Sequence, residues 1–408
     1  MENIDQYFEG VAWKYLSAVD ADPGRSNQHE LGGLVKAGFK KYLGDPGEDT
    51  HTFPTSYLFL AEDEGDSVAA PGSSSWYDAR RNQAHRGPEL RLYYEANPVT
   101  EQLSPGMFLL VAKLRNDELL LVFTHRGSSA EQQLRWLFGI KDSGDEFRGL
   151  DLDRRHERLS WASIWILEEL GIDPQPADDV WLEHLISRFG EKFPPTQQFS
   201  HFARESLPEL DATVNPDDAL LEMTETEERF FRLLERHIVQ KRIDQGFNDV
   251  DEFVSYSLSV HNTRKSRAGH SFENHLEFIF RANGLKFQRG AYTEARSKPD
   301  FLFPGSKEYS DQDFPDDLLS MLGVKTSCKD RWRQVLREAQ RISDKHLATL
   351  EPAISENQTN EMIESRLQLV VPLPLHQTYT ARQRDWLWSI GQFIEFRQHS
   401  DRTGKPAL

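Results

Sequence analysis

The sequence predicts two domains, a mainly β N-terminal half and a mixed α/β C-terminal half. Three observations carry this. The 408 residues give room for two domains of ordinary size. Short β-rich runs broken by Gly, Pro and Ser recur in the first half, whereas helical and strand periods alternate in the second. Between them GIDPQPADD, Gly171–Asp179, stops a helical pattern and reads as a linker. The expected boundaries are 1–170, a linker over 171–179, and 180–408.

In order along the chain, a helical pattern covers Tyr7–Val19. Strands follow at Ser56–Leu60, Leu90–Tyr94, Met107–Leu114 and Glu118–Thr124, then a helix at Leu159–Leu170. Phe193–Asp218 is rich in Pro and acids and reads as soft. Beyond it, Arg229–Arg242 is helical, and Ser271–Asn283 puts Phe272, Leu276, Ile279 and Phe280 on one helical face. Three strands are expected at Leu285–Arg289, Asp300–Phe303 and Met321–Thr326. A helix over Asp330–Lys345, a strand at Leu367–Val371 and an aromatic helix at Ala381–Phe396 complete the order. Helix, three strands, helix, strand, helix suits a mixed sheet flanked by helices.

Composition narrows the function classes. Hydrophobic residues make up 38%, with 25 Phe and 9 Trp, so a sizeable core can form. No run approaches the ~20 apolar residues that span a bilayer, and MENIDQYFEG lacks the layout of a secretory signal. Cys328, the one cysteine, excludes intrachain disulfides and Cys-based zinc clusters. A reduced, cytoplasmic protein with no membrane partner is expected. The net charge of −18 argues against nucleic acid until its location is considered. His261–Lys345 carries 16 Lys and Arg against 12 Asp and Glu, so the remainder holds −22. Glu205–Glu228 alone has nine acids and no Lys or Arg. A basic island in an acidic chain is compatible with DNA if the acids lie elsewhere; ordinary fluctuation gives the same numbers.

Four residues can be brought together by this element order. Asp300 follows Pro299 at a strand start, and Lys325 ends the next strand in GVKTS. Glu273 is expected in the first turn of the preceding helix, and Glu338 on the following helix. Mg²⁺ takes oxygen ligands, often one or two carboxylates, while keeping several waters. Phosphodiester hydrolysis uses such an ion to offset developing charge and acidify the attacking water, and a nearby lysine stabilises the charge on phosphorus. Singly, each residue has an ordinary explanation: a helix-terminal acid, a Pro-Asp turn, a strand-end lysine, an acid on a solvated face. His270 and His275 flank Glu273, but a spacing of five does not put both on one helical face, so zinc is not expected. Cys328 has no partner histidine nearby in sequence and reads as a small packing residue.

The stretches TRKSRAGHSFENHLEFIF, KPDFLFPG and VKTSCKDRWRQVLREAQRI resemble the catalytic domain of the EcoRII restriction endonuclease family. The likeness runs from about Phe193 to Val371 and is dense over Thr263–Ile342. It implies a PD-(D/E)XK nuclease fold in which the second acid has moved onto a helix. Asp300 would then ligate Mg²⁺, Glu338 would support the metal, Lys325 would act on the water, and Glu273 would be accessory. It implies that Lys329, Asp330 and Arg331 read C·G pairs, for which an Arg fork on guanine and an Asp on cytosine N4 are chemically suited. Arg331, Gln334, Glu338 and Arg341 would share a helical face lining the cleft, and Arg264, Lys265 and Arg267 would meet backbone phosphates.

The first ~170 residues resemble, more weakly, the B3-like pseudobarrel effector domain of the same family. Asn27-Gln28-His29 and Trp76–Arg80 running into Arg86, Glu89 and Arg91 carry the likeness. It implies that His29, Arg86, Glu89 and Arg91 contact DNA and that a second recognition site bound here relieves autoinhibition. This chain departs from the pattern at Ala84, where a lysine is expected, at Pro88, and over Glu62–Ser75, which reads as an insertion. The resemblance implies a homodimer cutting double-stranded DNA at a short C·G-flanked, CCWGG-like site. The alternatives are a non-catalytic DNA-binding protein and a modification-dependent defence nuclease.

Overall fold

A computed structural model of the chain describes residues 3–21, 29–63, 65–83, 85–152, 159–173, 179–329 and 331–404. Two compact units make up the chain: Met1–Pro174 with Ala353–Ser355, and Gln175–Pro352 with Glu356–Leu408. Residues 174–178 of the expected linker lie outside the described residues. No described helix is long and apolar enough to cross a membrane.

The first unit is built on eight strands: β1 (Phe8–Tyr15), β2 (Glu30–Leu31), β3 (Thr50–Leu60), β4 (Val68–Asp78), β5 (Leu90–Tyr94), β6 (Phe108–Leu114), β7 (Leu119–Thr124) and β8 (Arg148–Asp151). They join in the order β2-β5-β4-β3-β7-β6-β1-β8, antiparallel except for β3 and β7. The helix expected over Tyr7–Val19 is instead β1, followed by a single turn at Ala18–Ala21. Both faces of β1 are covered. Ala12 joins one core with Leu109, Val111 and Phe123, while Val11 and Trp13 join another with Leu110, Val122 and Phe138. A strand buried on two faces shows no alternation of apolar and polar residues, so its period is hidden. β4 occupies most of Glu62–Ser75, so that segment is integral to the sheet, ten residue pairs deep against β3.

The second unit holds β9 (Gln288–Arg289), β10 (Phe301–Phe303), β11 (Ser320–Lys325), β12 (Lys345–Thr349) and β13 (Leu367–Val370), ordered β13-β12-β11-β10-β9. β9 to β11 pair antiparallel and β11 to β13 parallel. Long helices Pro216–Asp244 and Val250–Ala282 stand beside it. The first opens with Asn215 as cap and Pro216 at the first helical position; the second is capped by Asp249, whose carboxylate accepts from Glu252 N. The expected soft region contains a helix, Thr196–Glu205, whose Phe199 and Ala203 are buried.

Two C-terminal expectations change. The aromatic helix splits into Ala381–Arg384 and Ile390–Thr403, with Trp388 bridging to Val370 between them. The helix expected over Asp330–Lys345 shrinks to Trp332–Val335. Ala339 takes a left-handed φ of 45°, which ends helical progression. Arg341 donates to the carbonyls of Tyr309, Asp311 and Phe314 and pairs with Asp316, holding the chain away from a helical path. Lys345 then starts a fully buried strand.

Candidate active site

Asp300 and Lys325 meet because β10 and β11 run side by side, Phe301 opposite Leu322. Asp300 immediately precedes β10, and its carbonyl accepts from Gly290 N at 2.9 Å. One carboxylate oxygen accepts from Val324 N at 2.7 Å and from Lys325 Nζ at 3.2 Å. The same ammonium donates to the Val324 carbonyl at 3.1 Å. Two of its three N–H groups are thus used and one is left for a substrate oxygen or water. Gly323 permits this geometry from behind: a Cβ there would lie 2.9 Å from Val335, so the short helix Trp332–Val335 can press on the strand only over a glycine.

Glu338 lies in the turn after that short helix, not on a helix, so no helical face is shared by Arg331, Gln334, Glu338 and Arg341. It nevertheless reaches the site. Burial and the neighbouring Asp300 carboxylate push its pKa up to about 7, against the opposing pull of Lys325 and Lys345. Its Oε2 is buried with no hydrogen-bond partner. Buried polar atoms are seldom left so. A buried carboxyl that feels the charge of a second carboxylate, with an oxygen unsatisfied, fits a divalent cation that would neutralise both. No group of three or more His, Cys, Asp or Glu side chains forms a metal shell among the described residues. A pair of carboxylates suits an ion that retains waters.

The turn that presents Glu338 is held by residues that the sequence patterns did not single out. Lys345, buried, donates to the carbonyls of Ala339 at 3.0 Å and Ile342 at 2.7 Å. Tyr309 donates to Glu294 at 2.5 Å and accepts from Arg341 N at 3.2 Å, while Glu294 also accepts from Gln340 N at 3.3 Å. The visible signal was weak: a lysine heading an otherwise strand-like KHLAT.

Glu273 lies in the middle of helix Val250–Ala282 rather than its first turn. It pairs with Arg289 at 2.7 Å, which also binds Glu277 at 2.9 Å. Arg289 is the strand partner of Phe301, so Glu273 flanks the Asp300 edge with its charge already met. Arg264, Lys265 and Arg267 are on the same helix, not in a loop before it. Lys265 is exposed. Arg264 grips Glu235. Arg267 is buried, ion-paired to Glu227 and Glu228 and stacked on Phe231, so phosphate contact is corrected to an interior role. His275 is likewise buried on Glu227 at 2.9 Å. Burial resists ionisation of Glu227, but His275 and Arg267 outweigh it and hold the carboxyl below its usual range. Asp217 accepts from the backbone N–H groups of Leu373, Ile390 and Gly391. Part of the acidic run Glu205–Glu228 is therefore consumed inside the fold.

Among the residues expected to read bases, Asp330 lies outside the described residues. Arg331 is exposed and Lys329 half-buried, at a sharp turn where Lys329 has φ 26°. Glu351, almost fully buried, anchors this turn by accepting from Cys328 N and Ser327 Oγ. Burial, reinforced by Glu351, drives the Cys328 thiol pKa up, which suits packing and not nucleophilic attack.

In the first unit, Arg91 pairs with Glu30 and Glu89 at 2.6 Å each, and Glu89 also holds Arg80 at 2.5 Å. Arg91 holds the Glu89 carboxyl below its usual range, against a smaller effect of burial. Arg86 is exposed beside them, donating weakly to Gln83 at 3.4 Å. His29 packs edge-on to Tyr94 with centroids 5.1 Å apart.

A family model described as EcoRII C terminal matches residues 231–394. The chain is 46% identical over 400 residues to the type II restriction enzyme EcoRII of Escherichia coli, covering 96% of this chain and 94% of that one. It is 30% identical over 130 residues to the type II restriction enzyme SsoII of Shigella sonnei, covering 29% and 42%. Among solved structures, metal-depleted Ecl18kI in complex with uncleaved DNA matches with 16% identity and a TM-score of 0.45, covering 56% of this chain and 86% of that one. A PspGI–substrate DNA complex matches with 13% identity and a TM-score of 0.41, covering 51% and 93%. With identity of 46% across nearly the whole of both chains, this chain belongs to the EcoRII family of type II restriction enzymes, which are site-specific deoxyribonucleases.

Proposed function

We propose that the chain cuts both strands of double-stranded DNA at a short C·G-flanked, CCWGG-like site, as a homodimer using Mg²⁺, with a PD-(D/E)XK arrangement of Asp300, Lys325 and Glu338. The observation that carries this is Lys325 Nζ at 3.2 Å from the Asp300 carboxylate, beside a buried Glu338 oxygen with no partner. A protein keeping this fold only as a scaffold would have no reason to bury that oxygen unsatisfied.

Asp300 and Glu338 would hold the cation, which when bound supplies positive charge to the scissile phosphate and acidifies a water. Asp300 is oriented for this by Val324 N and Lys325. Lys325 presents its remaining N–H to the attacking water or a phosphoryl oxygen, where positive charge favours the transition state. Glu273 keeps Arg289 fixed at the strand edge next to Asp300. Lys329, Asp330 and Arg331 read C·G pairs from the turn anchored by Glu351, and Lys265 contacts phosphate. In the first unit, taken as a B3-like effector domain, His29, Arg86, Glu89 and Arg91 form a DNA-contacting group whose occupation relieves autoinhibition. One buried thiol and restriction chemistry suit the cytoplasm.

Incubation of wild type and Lys325→Ala with unmethylated phage DNA and Mg²⁺ tests this. Discrete bands from the wild type alone are expected, with protection by methylation of the site. A mobility shift without cutting by either protein would sink the catalytic assignment, and cutting of methylated DNA alone would make the chain a modification-dependent nuclease. Removal of residues 1–179 is expected to increase cutting of a single-site plasmid; no gain would remove the effector.

A further inference from the structure

The chain between β9 and β10, residues 290–299, forms an arm at the Asp300 edge of the sheet. Its framework is tied to the candidate site at two points. Gly290 N donates to the Asp300 carbonyl at 2.9 Å. Glu294 accepts from Tyr309 Oη at 2.5 Å and from Gln340 N at 3.3 Å, in the turn that presents Glu338. Within the arm, Thr293 N donates to the Ser297 carbonyl at 2.8 Å, and Ser297 N to the Glu294 carbonyl at 2.9 Å. The arm is therefore pre-shaped.

It presents Tyr292, Arg296 and Lys298, all exposed. Lys298 Nζ lies 5.7 Å from the centroid of the Tyr292 ring. Among the described residues, no acid pairs with Arg296 or Lys298. Nearby cations are spent, Arg289 on Glu273 and Glu277, Arg341 on Asp316 and Lys325 on Asp300. Arg296 also holds a left-handed φ of 61°. That backbone is unfavourable for a residue with a side chain, and an exposed side chain brings no burial to offset it. Strain of this kind gathers at ligand clamps.

We propose that this arm clamps the DNA backbone beside the scissile phosphate, Arg296 and Lys298 each meeting a flanking phosphate. The proposal rests on cleavage at Asp300. Covalent reach places the cations there: Lys298 is two residues from Asp300 and Arg296 four, so their Cα atoms lie within roughly 7 and 14 Å of it. A strand that brings a phosphate to Asp300 and Lys325 thus passes within side-chain reach of both. Guanidinium and ammonium groups suit phosphate oxygens, and such contacts carry no base preference. The Tyr292 ring supports the Lys298 ammonium without supplying an acid that would compete with phosphate.

Single-turnover cleavage by the full chain in Mg²⁺, at subsaturating protein and graded salt, tests this. Arg296→Ala and Lys298→Ala should each reduce the slope of log rate constant against log salt by about 1, and the double variant by about 2. Between about 50 and 200 mM salt, wild type should then lose roughly tenfold more activity than the double variant. Arg296→Lys keeps the charge and should restore the slope. Because both side chains are exposed, circular dichroism should be unchanged. A wild type that does not cut DNA overturns the cleavage reading itself. A cutting wild type whose double variant keeps the full salt slope, or an Arg296→Lys no better than Arg296→Ala, overturns the clamp alone.

Discussion

The charge clusters of the two units are built on opposite principles. On the first unit's sheet, Glu30 and Glu89 each meet a guanidinium, and Arg91 bridges both. In the second unit, Glu338 is buried with one oxygen unmatched, and burial together with the charge of Asp300 raises its pKa to about 7. Matched charges stabilise a surface and give up little on binding a ligand. An unmatched buried carboxyl is costly in isolation and becomes useful when a cation arrives. The contrast separates a surface suited to recognition from a site suited to catalysis.

The largest effect expected from breaking the second cluster comes from Asp300→Asn or Lys325→Ala. Single-turnover cleavage should fall by about 10³-fold or more, while gel-shift affinity in Ca²⁺ stays near wild type. A comparable loss of binding would mean that the residues hold DNA and do no chemistry.

Next is Glu338. Folding raises its pKa from 4.5 to about 7, so between those values the folded, metal-free protein keeps a proton that the unfolded chain has lost. The stability from this group is full below about pH 4.5 and is lost as pH rises through 7. Relative to Glu338→Gln, metal-free wild type should lose on the order of 2 kcal/mol in urea melts between pH 5 and pH 8, allowing for solvent screening. Parallel pH profiles for the two proteins would remove the unmatched-acid explanation.

A smaller effect is expected at Arg331. Replacement by Ala should relax discrimination at one C·G pair by about 1–3 kcal/mol, read from cleavage of singly substituted sites. In the matched cluster, Arg91→Ala in the full chain should lower effector-site affinity by about tenfold, read by gel shift, with the single-turnover rate at the Asp300 site unchanged. Smallest is Lys265→Ala, which should reduce the slope of log affinity against log salt by about 1.

Sequence alone made the family and the Asp300–Lys325 pair legible, because Pro-Asp, a short gap and GVKTS place both on adjacent strands. β5 and β7 were legible too, bounded by polar turns. β1 was not, since burial on both faces erases its period. Glu338 was identified with the wrong local structure: WRQVLREAQRI has helical spacing, yet Arg341 and Lys345 spend their donors on backbone carbonyls and break the helix. Arg267 looked like a surface cation because its partners, Glu227 and Glu228, lie 40 and 39 residues earlier on another helix. Long-range pairing of this kind leaves no local mark.

The central claim is that Asp300 and Glu338, and not Glu273, hold the cation. Calorimetric titration of Ca²⁺ into the protein bound to an uncleaved cognate duplex at pH 7.5 tests it most directly. Glu273→Gln should bind the ion about as tightly as wild type, whereas Asp300→Asn and Glu338→Gln should bind at least tenfold more weakly. Loss of binding in Glu273→Gln together with wild-type affinity in Glu338→Gln would contradict it.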